Sequence, residues 1–477
     1  MLFNSLEYLI FLPIVFGIYW LIFRKYRNAQ NILLLVASYF FYGFWDWRFL
    51  ILIAVSSLID YLCGLRLEKV KSRTQRKWLL WTSIITNLSI LGFFKYFNFF
   101  LQSATELLTY IGLQVNPGSL QIILPIGISF YTFQSMSYTI DIYRRKSTAT
   151  KDPITFFAYV AFFPQLVAGP IERASHLLPQ FARNRKLDYV SISFGLKLIL
   201  WGLFKKMVVA DNCAPIVDWT FKNYQELNSW QLLYGLVLVQ MQIYADFSGY
   251  CDIAIGSAAL LGFSLKRNFE TPIFSTNVIE YWRRWHISLY TWFRDYVYFP
   301  LGGNRQGKVK QVRNVFLVFL ISSLWHGAGW NFFVWGLVNF IFMLPVITQS
   351  NASGQTPAYT KTAIMKEIAK MVSVFLAISF SKVFFRAENL SHSFQYLYAS
   401  VTNWSSFLPF TSAQVWLATG FAIIQIIIEW RGKNYLNNLE GVLSRTSRAQ
   451  RWMVYYALTF SIIFIGGSKR EFYYFQF

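Results

Sequence analysis

The chain has 477 residues, of which 55% are hydrophobic and 20% aromatic, while only 14% are charged. This composition excludes a set of ordinary water-soluble domains, because 48 Phe, 29 Tyr and 18 Trp are too many to bury without leaving large apolar patches on the surface. The net charge of +22 would suggest nucleic acid in a soluble protein, but here the basic residues lie in short runs between apolar segments. That pattern indicates membrane topology and contact with anionic lipid, so we expect a lipid bilayer and no nucleic acid as partner.

About eleven apolar segments are candidates to cross a bilayer, which takes about 20 residues for each helix, and the second of them is short for a full crossing. No Lys or Arg precedes the first segment and no small-residue cleavage site follows it, so this segment is predicted to stay as an anchor. The predicted spans are Leu6–Phe23, Gln30–Trp45, Arg48–Leu65, Trp78–Leu101, Leu120–Tyr143, Val190–Ala210, Trp230–Phe247, Asn314–Ile347, Glu367–Phe385, Ala413–Trp430 and Trp452–Gly467.

Basic residues in the loops predict the orientation, because cytoplasmic connections retain Lys and Arg. They follow the first, third and fifth spans, whereas residues 102–119 after the fourth span contain none. This alternation places the N-terminus outside and the basic loops in the cytoplasm of a multi-pass membrane protein. Beyond residue 310 the loop charges assign no sides.

Two stretches resemble neither spans nor open loops. Residues 152–181 contain five Pro or Gly among apolar residues, which favours a re-entrant or interfacial segment. Residues 264–313 mix nine basic residues with Trp and Tyr, as amphipathic helices at the cytoplasmic boundary do. We therefore predict an all-α, polytopic single domain over 1–477, with N-terminal spans in 1–151, a re-entrant part in 152–189, a core in 190–347 and C-terminal spans in 348–477.

His326 is the first candidate for chemistry among only four histidines. It lies thirteen positions after the polar edge at Arg313, about 20 Å along a helix and therefore deep in the hydrocarbon core. An imidazole at that depth needs a cavity or a polar partner, which makes it a functional candidate, although a hydrogen bond between helices would also explain it. Gly327 and Gly329 would allow a helix break or a close backbone approach.

His286 lies in an aromatic and basic stretch, Tyr281–Asp295. Read as one helix, this stretch places Arg294 over Arg283 in a polar stripe and turns His286 toward the apolar face. An interfacial histidine beside aromatic rings explains the position from sequence alone. His176 and His392 lie in breaker-rich or loop-like surroundings, which favours structural roles for both.

Other chemistries find little support in the sequence. Asp246 and Asp252 are six residues apart, which does not stack two carboxylates on one helical face, and we expect them to pair with interfacial arginines. Cys63, Cys213 and Cys251 form no CxxC motif, so neither disulfides nor a metal site are expected. Neither a P-loop nor a Rossmann fingerprint is present in the sequence.

Several segments resemble the membrane-bound O-acyltransferases, in the bacterial branch that includes the alginate O-acetyltransferase membrane subunit. These segments are Met1–Ser5, Leu35–Tyr42, Pro125–Gln134, Phe163–Ile171, Asp246–Tyr250, Tyr281–Gly303, Trp325–Gly327 and Tyr474–Phe477. The last four of them are the most specific, and the resemblance covers nearly the whole chain.

The resemblance implies helices around a central funnel, with His326 as the essential residue and His286 as the second polar position of the catalytic pair. It implies an acetyltransferase that takes acetyl-CoA or another acyl thioester as donor substrate, holds no permanent cofactor, and serves O-acetylation of an extracytoplasmic polysaccharide. An extracytoplasmic acetyltransferase of the SGNH-hydrolase type is the expected partner protein. Candidate residues for binding substrate or donor are Trp325, Asp246, Arg283, Arg284 and Trp282.

Two alternatives stay open on the sequence. One is D-alanyl transfer to teichoic acid from a carrier-protein thioester, which resembles this chain around Arg284-Trp285-His286 but less at the N-terminus and the tail. The other is a transporter or lipid flippase without acyl chemistry, in which His326 would relay protons.

Overall fold

The computed structural model describes every residue except 114–119, 121, 168, 349–360, 406–409, 411, 468–469 and 477. The described residues form twenty α-helices and no strand, and one isolated β-bridge pairs Phe269 with Trp285. The predicted all-α fold is therefore confirmed. Residues 114–119 of the loop that follows the fourth predicted span, together with Ala168 and Phe477 of the quoted motifs, lie outside the described residues.

The described residues group into two compact units. The first comprises residues 1–196, 254–266 and 474–477, and the second comprises 197–253 and 267–473. The single domain with its four parts stays a prediction.

The first unit is built mainly from the N-terminal helices, some of which continue into short π- or 3₁₀-helical turns. They are α1 (Leu6–Gly17, continued by Ile18–Ile22), α2 (Arg27–Asp46, followed by Trp47–Phe49), α3 (Leu50–Lys69), α4 (Arg73–Tyr110), α5 (Ile128–Tyr143), α6 (Pro153–Ala161), α7 (Phe163–Leu166), α8 (Ala174–Ala182) and most of α9 (Tyr189–Leu203).

Local chemistry sets several of these helix ends. Asp152 accepts a hydrogen bond from the backbone N–H of Ile154 and is followed by Pro153 at the first helical position, which together start α6. The predicted span Leu120–Tyr143 is too long, because its helix begins only at Ile128, after Gly127 with a φ of +76°. Residues 122–127 of that predicted span are therefore non-helical.

The second unit contains the remaining helices and the C-terminal end of α9. They are a π-helical segment (Phe204–Ala210), α10 (Asp211–Lys222), α11 (Ser229–Leu260, whose last residues belong to the first unit), a 3₁₀ turn (Pro272–Phe274), α12 (Val278–Arg284), α13 (Ile287–Phe293) with a π-helical turn (Arg294–Tyr298), α14 (Lys308–His326), α15 (Trp330–Thr348), α16 (Lys361–Arg386), α17 (Leu390–Thr402), α18 (Ala413–Gly432), α19 (Asn438–Leu443) and α20 (Arg448–Phe464). A last 3₁₀ turn (Tyr473–Gln476) begins at the end of the second unit, and its other residues belong to the first.

Five helical segments among the described residues are long and apolar enough to cross a membrane. Others, such as Leu6–Ile22, are apolar but shorter, so the count of eleven spans stays a prediction. The polytopic membrane character is confirmed by the five segments, which are Arg27–Lys69, Arg73–Tyr110, Trp330–Thr348, Thr362–Arg386 and Ala413–Gly432.

The long apolar run Asn314–Ile347 forms a helical hairpin of α14 and α15. The chain leaves α14 at Gly327, which is extended, so the predicted helix break next to His326 is confirmed. Gly336 lets the two helices approach closely, because a Cβ there would lie 2.7 Å from Ser323 Cβ and 3.0 Å from Phe319 O. The hairpin holds His326 at its turn.

Candidate active site

His286 occupies a break between two short helices. Its φ of +45° prevents α12 from continuing as one helix, and α13 starts at the next residue. Asn268 stabilises the break, since its backbone oxygen accepts from Ile287 N at 3.0 Å and its side-chain oxygen accepts from Ser288 N at 3.1 Å. The single helix Tyr281–Asp295, with its stripe of stacked arginines, is therefore a wrong prediction.

The His286 ring is buried among aromatic side chains, as its predicted apolar orientation requires. It is 2% exposed, and its centroid lies 4.8 Å from that of Phe247 and 5.8 Å from that of Trp325. Burial, and after it the positive charge of Lys382, lower the pKa of His286 to about 3. The ring is consequently neutral near pH 7.

His326 ends α14 in a similar aromatic environment and is 5% exposed. Its ring centroid lies 4.9 Å from Trp325, 5.0 Å from Trp335 and 5.4 Å from Phe385, with every ring nearly perpendicular to the imidazole. The Trp325 indole touches both histidines and therefore fixes the two imidazoles relative to each other.

Both histidines line one cavity of about 340 Å³ in the second unit. Its wall is mainly apolar and includes Arg294 and Phe299, and Phe299 is 53% exposed. The cavity thus leads from the buried histidines to exposed side chains, and His326 is not sealed among apolar neighbours. A largely apolar cavity lined by two imidazoles can hold a thioester away from bulk water.

The remaining predicted binding residues divide into two groups. Trp282 and Arg283 line the cavity. Arg284 instead pairs with Glu280 at 2.6 Å, and Trp325 contacts the two histidine rings without lining the cavity.

Asp246 lies in a buried ion cluster with lysines, which corrects the expected pairing with arginines. Its carboxylate is 2.8 Å from Lys206 Nζ and accepts a hydrogen bond from Tyr473 N at 2.7 Å. Lys206 also pairs with Asp211 at 2.8 Å, and Lys205 pairs with Asp252 at 2.7 Å. Lysine is the partner because the adjacent π-helical segment Phe204–Ala210 carries two buried lysines next to α11.

The other two histidines have hydrogen-bond partners outside this cavity. His176 Nδ1 is 2.7 Å from Glu172 Oε2 in the first unit. His392 Nε2 is 2.9 Å from the backbone oxygen of Phe221 in the second. These contacts favour the structural roles expected for both.

Lys382, which the sequence reasoning missed, lies in α16 beside the catalytic candidates. Its Nζ is 4.7 Å from the centroid of the Trp285 ring, and Trp285 lines the cavity. A lysine inside the apolar segment Glu367–Phe385 is a signal that could have identified it, because ionisable residues in a span are functional candidates.

Comparison with known proteins decides the family. The family model of the membrane-bound O-acyltransferases matches residues 38–387, a range that includes both cavity histidines. The chain belongs to the membrane-bound O-acyltransferase family. As a member of this family it is an O-acyltransferase enzyme of the membrane.

Several bacterial members of the family are similar over most of the chain. The probable alginate O-acetylase AlgI of Pseudomonas aeruginosa is 40% identical over 396 residues, covering 82% of this chain and 73% of that protein. The peptidoglycan O-acetyltransferase of Helicobacter pylori is 36% identical over 426 residues, covering 83% and 79%. The teichoic acid D-alanyltransferase of Bacillus subtilis is 27% identical over 231 residues, covering 46% and 58%.

Proposed function

We propose that this membrane-bound O-acyltransferase moves an acetyl group from a cytoplasmic thioester toward hydroxyl groups of an extracytoplasmic polysaccharide. The relatives that are similar over most of the chain are named for O-acetylation of alginate or peptidoglycan, two glycans outside the cytoplasm. The observation that carries the proposal is the pair His286 and His326 in the wall of one cavity.

His326 is the proposed general base. As the acceptor oxygen attacks the thioester carbonyl carbon, the imidazole takes the hydroxyl proton, which suits a group that titrates near neutral pH in water. The tetrahedral intermediate then collapses, the carbon–sulfur bond breaks, and the imidazolium returns the proton to the departing thiolate. The reaction yields an ester and a thiol and leaves the histidine unchanged.

His286 is the proposed positioning group for the thioester or the acceptor. Because it is neutral, its ring can donate one hydrogen bond or accept one without adding charge to the cavity. Asn268 sets its position between α12 and α13 by accepting hydrogen bonds from the backbone N–H groups of the next two residues.

The donor of this proposal is acetyl-CoA or another acyl thioester. Arg283 and Arg294 line the cavity and offer positive charge to the phosphates of CoA or of a carrier arm. Trp282 adds flat apolar surface to the cavity wall, and Trp325 lies beside the histidine rings. The donor acts as a substrate, and no permanently bound cofactor belongs to the proposal.

We place the enzyme in the bacterial inner membrane with its N-terminus outside, following the charges of the loops. In this arrangement the thioester approaches from the cytoplasm and the acceptor from the opposite side, so the acetyl group crosses while CoA does not. An extracytoplasmic acetyltransferase of the SGNH-hydrolase type is the proposed partner that completes transfer to the glycan.

The test replaces His326 by Ala in cells that lack the native gene. We expect normal amounts of the protein in the membrane and loss of ester-linked acetate from the extracytoplasmic glycan. His176→Gln is the matched control, since this histidine lies outside the cavity, and it should retain acetylation. Full acetylation in the His326→Ala strain would refute the proposed role of the histidine.

D-alanyl transfer to teichoic acid is the second candidate, supported by the similarity to the Bacillus subtilis enzyme over about half the chain. Purified protein in liposomes distinguishes the candidates when it is supplied in turn with acetyl-CoA and with a D-alanyl carrier-protein thioester. Thiol release from the second donor alone would favour D-alanyl transfer. Release from neither donor, with envelope from the deletion strain as acceptor and partner source, would favour a transporter.

A further inference from the structure

Lys382 differs from the other buried lysines of the second unit. Lys205 and Lys206 each pair with carboxylates at 2.7–2.8 Å. Lys382 is 1% exposed, and within the described parts of the chain its Nζ has neither a hydrogen-bond acceptor nor an acidic partner. A buried ammonium of this kind is costly unless another negative charge compensates it.

Three aromatic rings surround the ammonium, and we call them the Lys382 cage. Nζ lies 4.7 Å from the centroid of Trp285, 4.8 Å from that of Phe385 and 5.6 Å from that of Trp335. Cation–π attraction from these rings compensates part of the lost hydration of the ammonium. The rings carry no net charge, so Lys382 in its protonated form has no counter-charge among the described residues.

The cage adjoins both candidate catalytic residues. Trp285 lines the cavity, and the rings of Trp335 and Phe385 contact His326 at 5.0 and 5.4 Å. The charge of Lys382 also contributes, after burial, to the lowered pKa of His286. The electric field of this lysine therefore reaches a side chain that forms the cavity wall.

We propose that Lys382 supplies the positive charge that balances the negative charge forming on the thioester carbonyl oxygen during acyl transfer. Attack by the acceptor moves one electron pair of the carbonyl onto that oxygen, and collapse of the intermediate returns the pair and expels the thiolate. Lys382 gives up no proton in either step. It acts across the Trp285 ring without touching the reacting atoms, which makes it a positioning residue.

The expected effect follows from distance and dielectric constant. Lys382 Nζ lies 4.7 Å from the centroid of the Trp285 ring. A cavity atom in van der Waals contact with the opposite face of that ring would therefore lie about 8 Å from Nζ. At an effective dielectric constant of about 20, one unit charge at that distance changes a rate about 30-fold. Removing the charge should thus lower kcat by about that factor.

This inference rests on the proposed function, and its test compares Lys382→Met with Lys382→Arg in liposomes. Acetyl-CoA is the donor, envelope of the deletion strain supplies acceptor and partner, and thiol release is followed. Lys382→Met should lower kcat about 30-fold with little change in KM for acetyl-CoA, whereas Lys382→Arg should retain most of the rate. Lys370→Met, at an exposed position of the same helix, is the matched control and should behave as the wild type.

Several outcomes overturn the inference. Wild-type kcat in Lys382→Met would do so, and so would an equal loss in Lys382→Arg, which would indicate packing and not charge. Lys382→Gln replaces the Met variant should that protein not accumulate. A wild-type enzyme that releases no thiol from acetyl-CoA would instead count against the proposed function.

A second measurement tests the field of Lys382 without turnover. NMR titration of ¹⁵N-histidine, with His286→Asn to assign the signal, follows the His286 ring in the wild type and in Lys382→Met. Loss of the positive charge should raise the pKa of His286, because the imidazolium is then no longer repelled. An unchanged pKa would overturn the inference whichever thioester is the donor.

Discussion

Replacing Asp246 by Asn tests whether this residue binds substrate, as the family resemblance suggests, or stabilises the fold, as its contacts indicate. The carboxylate lies 2.8 Å from Lys206 Nζ and 2.7 Å from Tyr473 N. Asn can still accept the hydrogen bond from Tyr473 N, but it removes one of the two negative charges around Lys206. Asp211 remains as the other.

The size of the effect can be worked from these contacts. Breaking a buried ion pair costs about 3–5 kcal/mol, and a hydrogen bond to a charged group contributes about 1.5–3 kcal/mol. Because Asp211 still pairs with Lys206, we expect a smaller loss of folding free energy than for a fully broken pair, about 2–3 kcal/mol. With an unfolding entropy of about 2.1 cal/mol/K per residue over 477 residues, the apparent Tm should fall by about 2–3 °C.

The assay is thermal aggregation in detergent, followed by size-exclusion chromatography, together with thiol release from acetyl-CoA well below the Tm. We expect a lower midpoint with unchanged KM for acetyl-CoA. Glu388→Gln is the control, since its side chain is exposed. An unchanged midpoint combined with a raised KM would refute the structural role and favour the role in substrate binding.

Two further predictions concern the two halves of the site. NMR should show a neutral His286 ring from pH 5 to 8. Its pKa is lower in the folded protein than in the unfolded chain, so the unfolded chain binds the extra proton and stability should decline as pH falls from about 6.5 toward 3. An NMR titration midpoint of the His286 ring near pH 6.5 would contradict this. Gly336→Leu should separate α14 from α15, because even its Cβ would crowd Ser323. We expect less protein in the membrane and weaker acetylation, whereas the control Gly420→Leu, at an open position, should give normal values for both. Wild-type acetylation in Gly336→Leu would contradict the prediction.

Long apolar helices and their breaks at glycine were predictable from the sequence, because hydropathy and backbone freedom act locally. Thus α18 matches its predicted span closely, and the hairpin of α14 and α15 breaks beside His326 as Gly327 suggested. The start of α5 was not predictable from hydropathy, since the residues before Pro125 are also apolar, but the helix begins only after the left-handed Gly127.

The site was predictable in its residues but not in its geometry. His326 stands out from sequence because an imidazole in an apolar helix needs a reason. The break at His286 depends on Asn268, eighteen positions earlier in the chain, and no local pattern around a non-glycine residue with positive φ shows it. Two rings of the Lys382 cage, Trp285 and Trp335, come from other segments of the chain, so they could not be read from the sequence around Lys382, whereas Phe385 lies three residues away in the same helix.

The π-helical segment Phe204–Ala210 directs two adjacent lysine side chains to buried acids, so its length is tightly constrained. Successive residues of an ordinary α-helix point about 100° apart, yet Lys205 and Lys206 are both buried and both reach carboxylates. Deleting one residue here would restore ordinary helical winding and turn one ammonium away from its acid. Homologous enzymes that keep both pairs should therefore tolerate substitutions in this segment more readily than a change in its length.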